Sequence, residues 1–162
     1  MSQEVQEITP IKDTIINDQI NTVINNPKNH PRVGIGVIIK KDNKLLFGKR
    51  IASHNANTWT PPGGHLEFYE ELEQCARRET AEEAGIQIKN IHLAGITNDF
   101  FEKEKKHYVT IYFIADHDSG DPQVMEPDKV EKWQWFSKEE LPQPLFLSTA
   151  NLFKQGFNPF DK

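Results

Sequence analysis

The chain has 162 residues, with 19 Lys and Arg against 24 Asp and Glu and a formal net charge of −5. That balance argues against a nucleic-acid coat or a binder of anionic membranes, but leaves room for a small anionic substrate held at one local site. One cysteine, Cys75, excludes an internal disulfide and fits a reducing compartment. The opening "MSQEVQEITPIKD" is polar, so no signal peptide is expected, and no apolar run is long enough to cross a bilayer. The expected location is cytoplasmic.

Residues 1–30 differ from the rest. Ile11, Ile15, Ile16, Ile20, Val23 and Ile24 recur at helical spacing before "NNP", predicting an amphipathic helix in an N-terminal extension. Such a helix either packs on the domain surface or caps a dimer or substrate. A domain is expected over residues 31–162. "RVGIGVIIK" (32–40) and "KLLFGKR" (44–50) read as strands joined by a "KDN" hairpin turn. The "GIG" run is not a dinucleotide fingerprint, because its third glycine is missing and a hairpin follows it. "TWTPPGGH" (58–65) reads as a loop that enters a helix near Glu70. "NIHLAGIT" (90–97), "KHYVTIYFIAD" (106–116) and "VEKWQWF" (130–136) read as strands. "VTIYFIA" is expected at the centre of the sheet. "EKEKK" (102–106) reads as a solvated turn and 117–129 as a polar loop. "SKEEL" has a capping-box pattern, and a final helix is expected over 145–156, ended by Gly156. Strands mixed with a few helices predict one α/β or α+β domain.

The helix after the glycine loop carries the chemistry. At about 100° per residue, Leu72, Cys75 and Ala76 share a core-facing stripe, and Glu79 and Glu83 fall in the middle of it. Glu82 falls at its edge. A carboxylate facing a protein interior is costly unless it is paired or binds a cation. Clustered oxygen ligands select a hard ion, Mg²⁺ or Mn²⁺, and Mg²⁺ commonly completes its shell with water and substrate phosphate. Gly63 and Gly64 lack Cβ atoms and allow close backbone approach. Arg78 is placed to bridge the acids and hold the loop to the helix.

Gly64, Glu70, Arg78, Glu79, Glu82, Glu83, Gly85 and Ile86 fall in register with the Nudix box, G-x5-E-x7-R-E-U-x-E-E-x-G-U, where U is bulky and apolar. Thr80 occupies the first U position, and Tyr69 replaces a glycine often found before the first glutamate. Residues 32–160 resemble the MutT-like nucleoside-triphosphate diphosphatases, among them the small enzymes that accept thiopurine nucleotides. "LLFGKR", "PPGGHLEF", "KHYVTI", "EKWQWF" and "KQGFNPF" carry that resemblance. It implies an α/β/α sandwich around a mixed sheet and a Mg²⁺ ion bound by Glu79, Glu83 and the Gly64 carbonyl. Glu82 is carried over as a further ligand or base.

The implied reaction is hydrolysis of a nucleoside triphosphate, purine or modified, to monophosphate and pyrophosphate. Glu82, Glu83 and, by family position, Glu131 compete as base or outlying ligand, with Arg78 beside them. Arg50 is the candidate phosphate clamp. Phe146 and Leu147 match the region bordering the nucleobase, although Phe146 could equally fill the core. His65 either contacts substrate or is a surface residue. Cys75 is expected in the core, and Trp133 and Trp135 on one strand face, in the core or a subunit contact. The alternatives are another diphosphate, such as ADP-ribose or a dinucleotide, and a sensor that binds nucleotides without turnover. A nucleotide is the expected partner, with no nucleic acid or membrane. A homodimer is compatible with the subgroup.

Overall fold

A computed structural model describes residues 30–161, so the helix expected over residues 11–24 lies outside the described residues. Two strands begin the sheet, β1 (Arg32–Lys41) and β2 (Lys44–Arg50). Asp42 and Asn43 join them with φ of 49° and 59°. Both residues tolerate that left-handed region, and two such residues in a row give the turn whose twist matches a tight hairpin.

Strand β1 is apolar almost throughout because both its faces are covered. Ile35, Val37 and Ile39 face one hydrophobic cluster and Ile38 the other, following the period of two. The first cluster includes Cys75, Ala76 and Ala84 of helix α1 (Leu72–Ala84). The second includes Leu152 of helix α2 (Leu147–Lys154). One helix therefore lies on each side of the sheet.

The sheet is mixed. β6 (Lys106–Ser119) runs parallel to β1 and antiparallel to β5 (Gln87–Phe101), which places the "VTIYFIA" run in the interior as its composition predicts. On its other edge β1 is shared. Its first half pairs with β4 (Gly63–His65) and its last residues with β2. β2 also pairs with β3 (Trp59–Thr60) and β7 (Val130–Phe136). The divided edge opens beside the N-terminal half of β1, and the site forms there.

Several expectations are corrected. Segment 58–65 holds β3 and β4, strands of two and three residues that are too short to show periodicity. Leu72 is exposed, because it is the first residue of α1. "SKEEL" makes one 3₁₀ turn, and the Ser137 hydroxyl donates to the Glu140 carboxylate at 3.1 Å instead of capping a backbone N–H. The last helix starts at Leu147 because Leu145 bridges to Trp59 and the Phe146 N–H donates to the Trp59 carbonyl at 2.8 Å. Trp133 and Trp135 both pack on the first cluster.

Candidate active site

Strand β4 brings a glycine corner against α1. The Gly63 N–H donates to a Glu83 carboxylate oxygen at 3.0 Å. A Cβ on Gly64 would lie 2.3 Å from the Glu79 carboxyl carbon. Glu79 and Glu83 thus face the sheet from the packed side of the helix, as their spacing predicts. Burial pushes the Glu83 carboxyl up to about 8; the Gly63 N–H opposes this, and the charges of Glu79 and Glu126 add to it. Burial also raises Glu79, against the pull of Arg78.

Arg78 gathers the acidic segment from behind. Its Nε and Nη2 grip both oxygens of Glu70, at 2.6 and 2.9 Å. Nη1 donates to Glu79 at 2.7 Å and to Glu82 at 3.2 Å, and Nη2 to the His65 carbonyl at 3.1 Å. Its hydrogen bonds hold the Glu70 carboxyl down at about 2. Arg78 does not line the cleft. The structure makes it a positioning residue that ties the loop before α1 to the acids of the helix.

The cleft has a volume of about 450 Å³. Its lining includes the acids Glu79, Glu82, Glu83 and Glu126, and also Arg50, His54, Phe101 and Phe146. The Arg50 guanidinium lies 4.8 Å from the centre of the Phe146 ring and donates to the His54 carbonyl at 3.2 and 3.3 Å. Burial lowers the Arg50 pKa, and Glu83 opposes that shift. The Phe146 and Phe101 rings are 5.4 Å apart and tilted, with His54 against both. His65 lines the cleft too, and its Nε2 meets the Tyr108 hydroxyl at 3.0 Å.

Besides Arg78, two predicted residues are not brought to this cleft. Glu131 has no partner on β2: Val130 pairs with Arg50 and Lys132 with Lys49, so Glu131 is the extra residue of a bulge. Its carboxylate is exposed and pairs with Lys49 at 3.0 Å. Leu147 is half-buried outside the lining, and Ser148 takes the place beside Phe146. Cys75 is buried, with its thiol pushed up to about 12 chiefly by burial, which fits core packing and no nucleophile.

Sequence reasoning missed Glu126, His54, Tyr108 and Thr110, all of which line the cleft. Glu126 lies in a polar loop without periodicity. The loop reaches the helix because the Gln123 and Met125 N–H groups donate to the carbonyls of Ala84 and Glu83 at 2.9 and 3.4 Å. The "EPDK" turn is its only local signal.

Among the described residues, no three His, Cys, Asp or Glu side chains converge at metal-binding spacing. Glu79 and Glu83 would supply oxygen donors, with the Gly64 backbone oxygen as the further donor that the box resemblance implies. Two carboxylates, with water and substrate phosphate completing the shell, are what Mg²⁺ usually takes. A Cβ at residue 64 would occupy the space beside Glu79. The residues present therefore fit a hard divalent cation.

Residues 28–155 match the NUDIX domain family. The NAD-capped RNA hydrolase NudC of Vibrio parahaemolyticus is 35% identical over 117 residues, which are 70% of this chain and 42% of that protein. The ADP-ribose pyrophosphatase of Methanocaldococcus jannaschii is 32% identical over 72% of this chain and 68% of its own length. The oxidized purine nucleoside triphosphate hydrolase of Danio rerio is 30% identical over 65% and 66%. The chain thus spans about two fifths of the NudC protein and about two thirds of the other two. In structure, it superposes on a MutT NUDIX hydrolase from Burkholderia pseudomallei with a TM-score of 0.73 and 35% identity, covering 78% of this chain and 98% of that one. With Gly64, Glu79, Glu82 and Glu83 of the box lining one cleft and the domain matched over most of its length, this chain belongs to the Nudix hydrolase family.

Proposed function

We propose that the chain hydrolyses nucleoside triphosphates, purine or modified, to the monophosphate and pyrophosphate. One observation carries the reading: a cluster of carboxylates and an aromatic group topped by a guanidinium line one cleft. A nucleotide has the matching parts, a polyphosphate at one end and a flat base at the other. The likeness to the Danio rerio triphosphate hydrolase supports the same choice.

Glu79, Glu83 and the Gly64 carbonyl would hold Mg²⁺, which supplies positive charge at the phosphate oxygens. Arg50, anchored by His54 and Phe146, is positioned to add donors to those oxygens. Water adds to phosphorus, the bridging P–O bond breaks, and pyrophosphate leaves with the bond's electron pair. The water's proton passes to a carboxylate of the cleft lining, which offers Glu82, Glu83 and Glu126. Positioning and charge account for most of such a reaction. The base lies against Phe146 and Phe101.

The second reading is cleavage of ADP-ribose, favoured by the Methanocaldococcus jannaschii relative. A panel of nucleoside triphosphates, ADP-ribose and dinucleotides, incubated with Mg²⁺, separates them by product. Pyrophosphate and monophosphate from a triphosphate support the proposal. AMP with ribose 5-phosphate from ADP-ribose, and no turnover of any triphosphate, overturns it. Tight nucleotide binding with no turnover of any compound would make the protein a sensor.

A further inference from the structure

Bonded to one residue of the cleft lining is a buried carboxylate that the reaction does not use. Asp99, on β5, is fully buried. Thr97 and Thr110 both donate their hydroxyls to its Oδ2, at 2.9 and 2.7 Å. Asn151 of α2 donates to Oδ1 at 2.9 Å. The placement follows from the sheet: Thr97 and Asp99 are two apart on one face of β5, and Thr97 pairs in register with Thr110 of β6. A carboxylate only accepts, so its burial is offset by donors drawn from three elements.

Thr110 also lines the cleft. A hydroxyl has one proton, and Asp99 takes it, so the Thr110 oxygen has only lone pairs left to offer a ligand. Gly34 keeps that side open: a Cβ there would lie 3.5 Å from Thr110 Oγ1. Further along the floor, the Tyr112 hydroxyl meets the hydroxyls of Ser148 and Thr149 at 2.7 and 3.0 Å. Those two bonds use two of three hydroxyl protons, whereas at Thr110 none is spare.

We propose that Asp99 is a positioning residue that makes Thr110 a fixed hydrogen-bond acceptor in the cleft, so that the site selects nucleobases presenting an N–H donor, such as an exocyclic amino group. This rests on the nucleotide reading above. A ligand that turns only acceptors to this point leaves the Thr110 lone pairs facing its own. A site built to pair with a substrate N–H discriminates strongly against the analogue lacking it.

The test compares triphosphate pairs that differ by one amino group, guanosine with inosine and adenosine with purine riboside. The expected result is a preference of about tenfold or more in kcat/KM for the amino-bearing member of at least one pair. Thr110→Val is expected to bring that ratio to about one, and Thr110→Ser to keep the preference. Asp99→Ala frees the hydroxyl to rotate and is expected to lower the ratio as well. Absence of preference in every pair for the unmodified protein overturns the proposal, as does an unchanged ratio in Thr110→Val. An unchanged ratio in Asp99→Ala, with only a lower melting temperature, makes Asp99 structural and overturns its role. The same pairs as monophosphates, titrated by calorimetry without metal, read the preference independently of turnover. Failure of every nucleotide to turn over would count against the hydrolase reading, and equal binding of paired monophosphates against this one.

Discussion

Gly63 and Glu83 are joined by a 3.0 Å hydrogen bond from backbone N–H to carboxylate, across twenty residues of sequence. The bond fixes the acidic face of α1 to the edge of β1, since Gly63 pairs with Gly36 there. Neighbouring glycines then play different parts. A Cβ on Gly63 would lie 2.2 Å from the Ile35 carbonyl oxygen, which is backbone and cannot yield without breaking strand pairing. A Cβ on Gly64 would meet first the end of the flexible Glu79 side chain. Gly63→Ala is therefore expected to destabilise the fold by about 1–3 kcal/mol. Gly64→Ala should keep the melting temperature close to that of the parent and lower turnover by at least about tenfold through a displaced Glu79. Thermal melts beside Mg²⁺-dependent kinetics check both. Equal loss of stability in the two variants would contradict the distinction.

Glu83 makes the stability of the metal-free protein depend on pH. Its carboxyl titrates near 8 in the folded chain, because burial and neighbouring acids disfavour the charge. The folded state keeps a proton that the unfolded chain has already released. Stability is then greatest below about pH 4.5, the ordinary glutamate range, and is lost as pH rises through about 8, by roughly 1.4 kcal/mol per pH unit in that window. Glu79 shifts in the same direction. Melting in chelator from pH 5 to 9 is expected to show this decline and Glu83→Gln to flatten it. Glu83→Gln is also expected to abolish most turnover. A decline of the same slope in Glu83→Gln would assign the effect elsewhere.

Arg78 and Glu70 give the opposite pH limb. The paired guanidinium holds the Glu70 carboxyl at about 2, so its contribution is present above the ordinary glutamate range and is lost as pH falls towards 2. Arg78→Lys keeps the charge but loses the two-pronged grip on Glu70 and the simultaneous bonds to Glu79 and Glu82. Turnover is expected to fall about 10- to 100-fold and the Mg²⁺ requirement to rise, as for other residues that orient metal ligands. A Mg²⁺ titration of initial rates measures both. An unchanged Mg²⁺ requirement would remove Arg78 from that role.

The aromatic part of the cleft lining should be read in KM. Phe146→Ala removes the ring that lies under Arg50 and beside Phe101. It is expected to raise KM for a triphosphate about 5- to 100-fold, from the loss of roughly 1–3 kcal/mol of base stacking. A matched change in kcat alone would place the ring in the chemistry, not in binding.

What the sequence reveals and what it hides follow from the length scale of the signals. Glu79 and Glu83 are legible because four-residue spacing on a thirteen-residue helix is a strong periodic pattern. β2 is legible because an apolar run stops at charged ends. β4 is not, since three residues, two of them glycine, carry no period and its pairing with β1 is long-range. Thr110 and Asp99 look like ordinary strand residues until β5 and β6 are paired. Phe146 reaches the cleft through the bond to Trp59, a contact of distant segments that no local pattern records.

Glu126 and Glu131 are the sharpest instance, and they set the last prediction. By family position Glu131 is the outlying acid, yet the bulge in β7 turns it towards Lys49 and solvent. Glu126 lines the cleft with Glu83, and Lys129 holds its carboxylate at 2.8 Å. The exposed Lys49–Glu131 pair contributes little, about 0–1 kcal/mol. Glu131→Gln is therefore expected to keep kcat within about twofold of the parent and to leave the melting temperature nearly unchanged. Glu126→Gln, which removes a charge from the cleft lining, is expected to lower kcat by about tenfold or more. Initial rates at saturating Mg²⁺ compare the two directly. The opposite ranking would mean that β7 rearranges when substrate binds and brings Glu131 into the site.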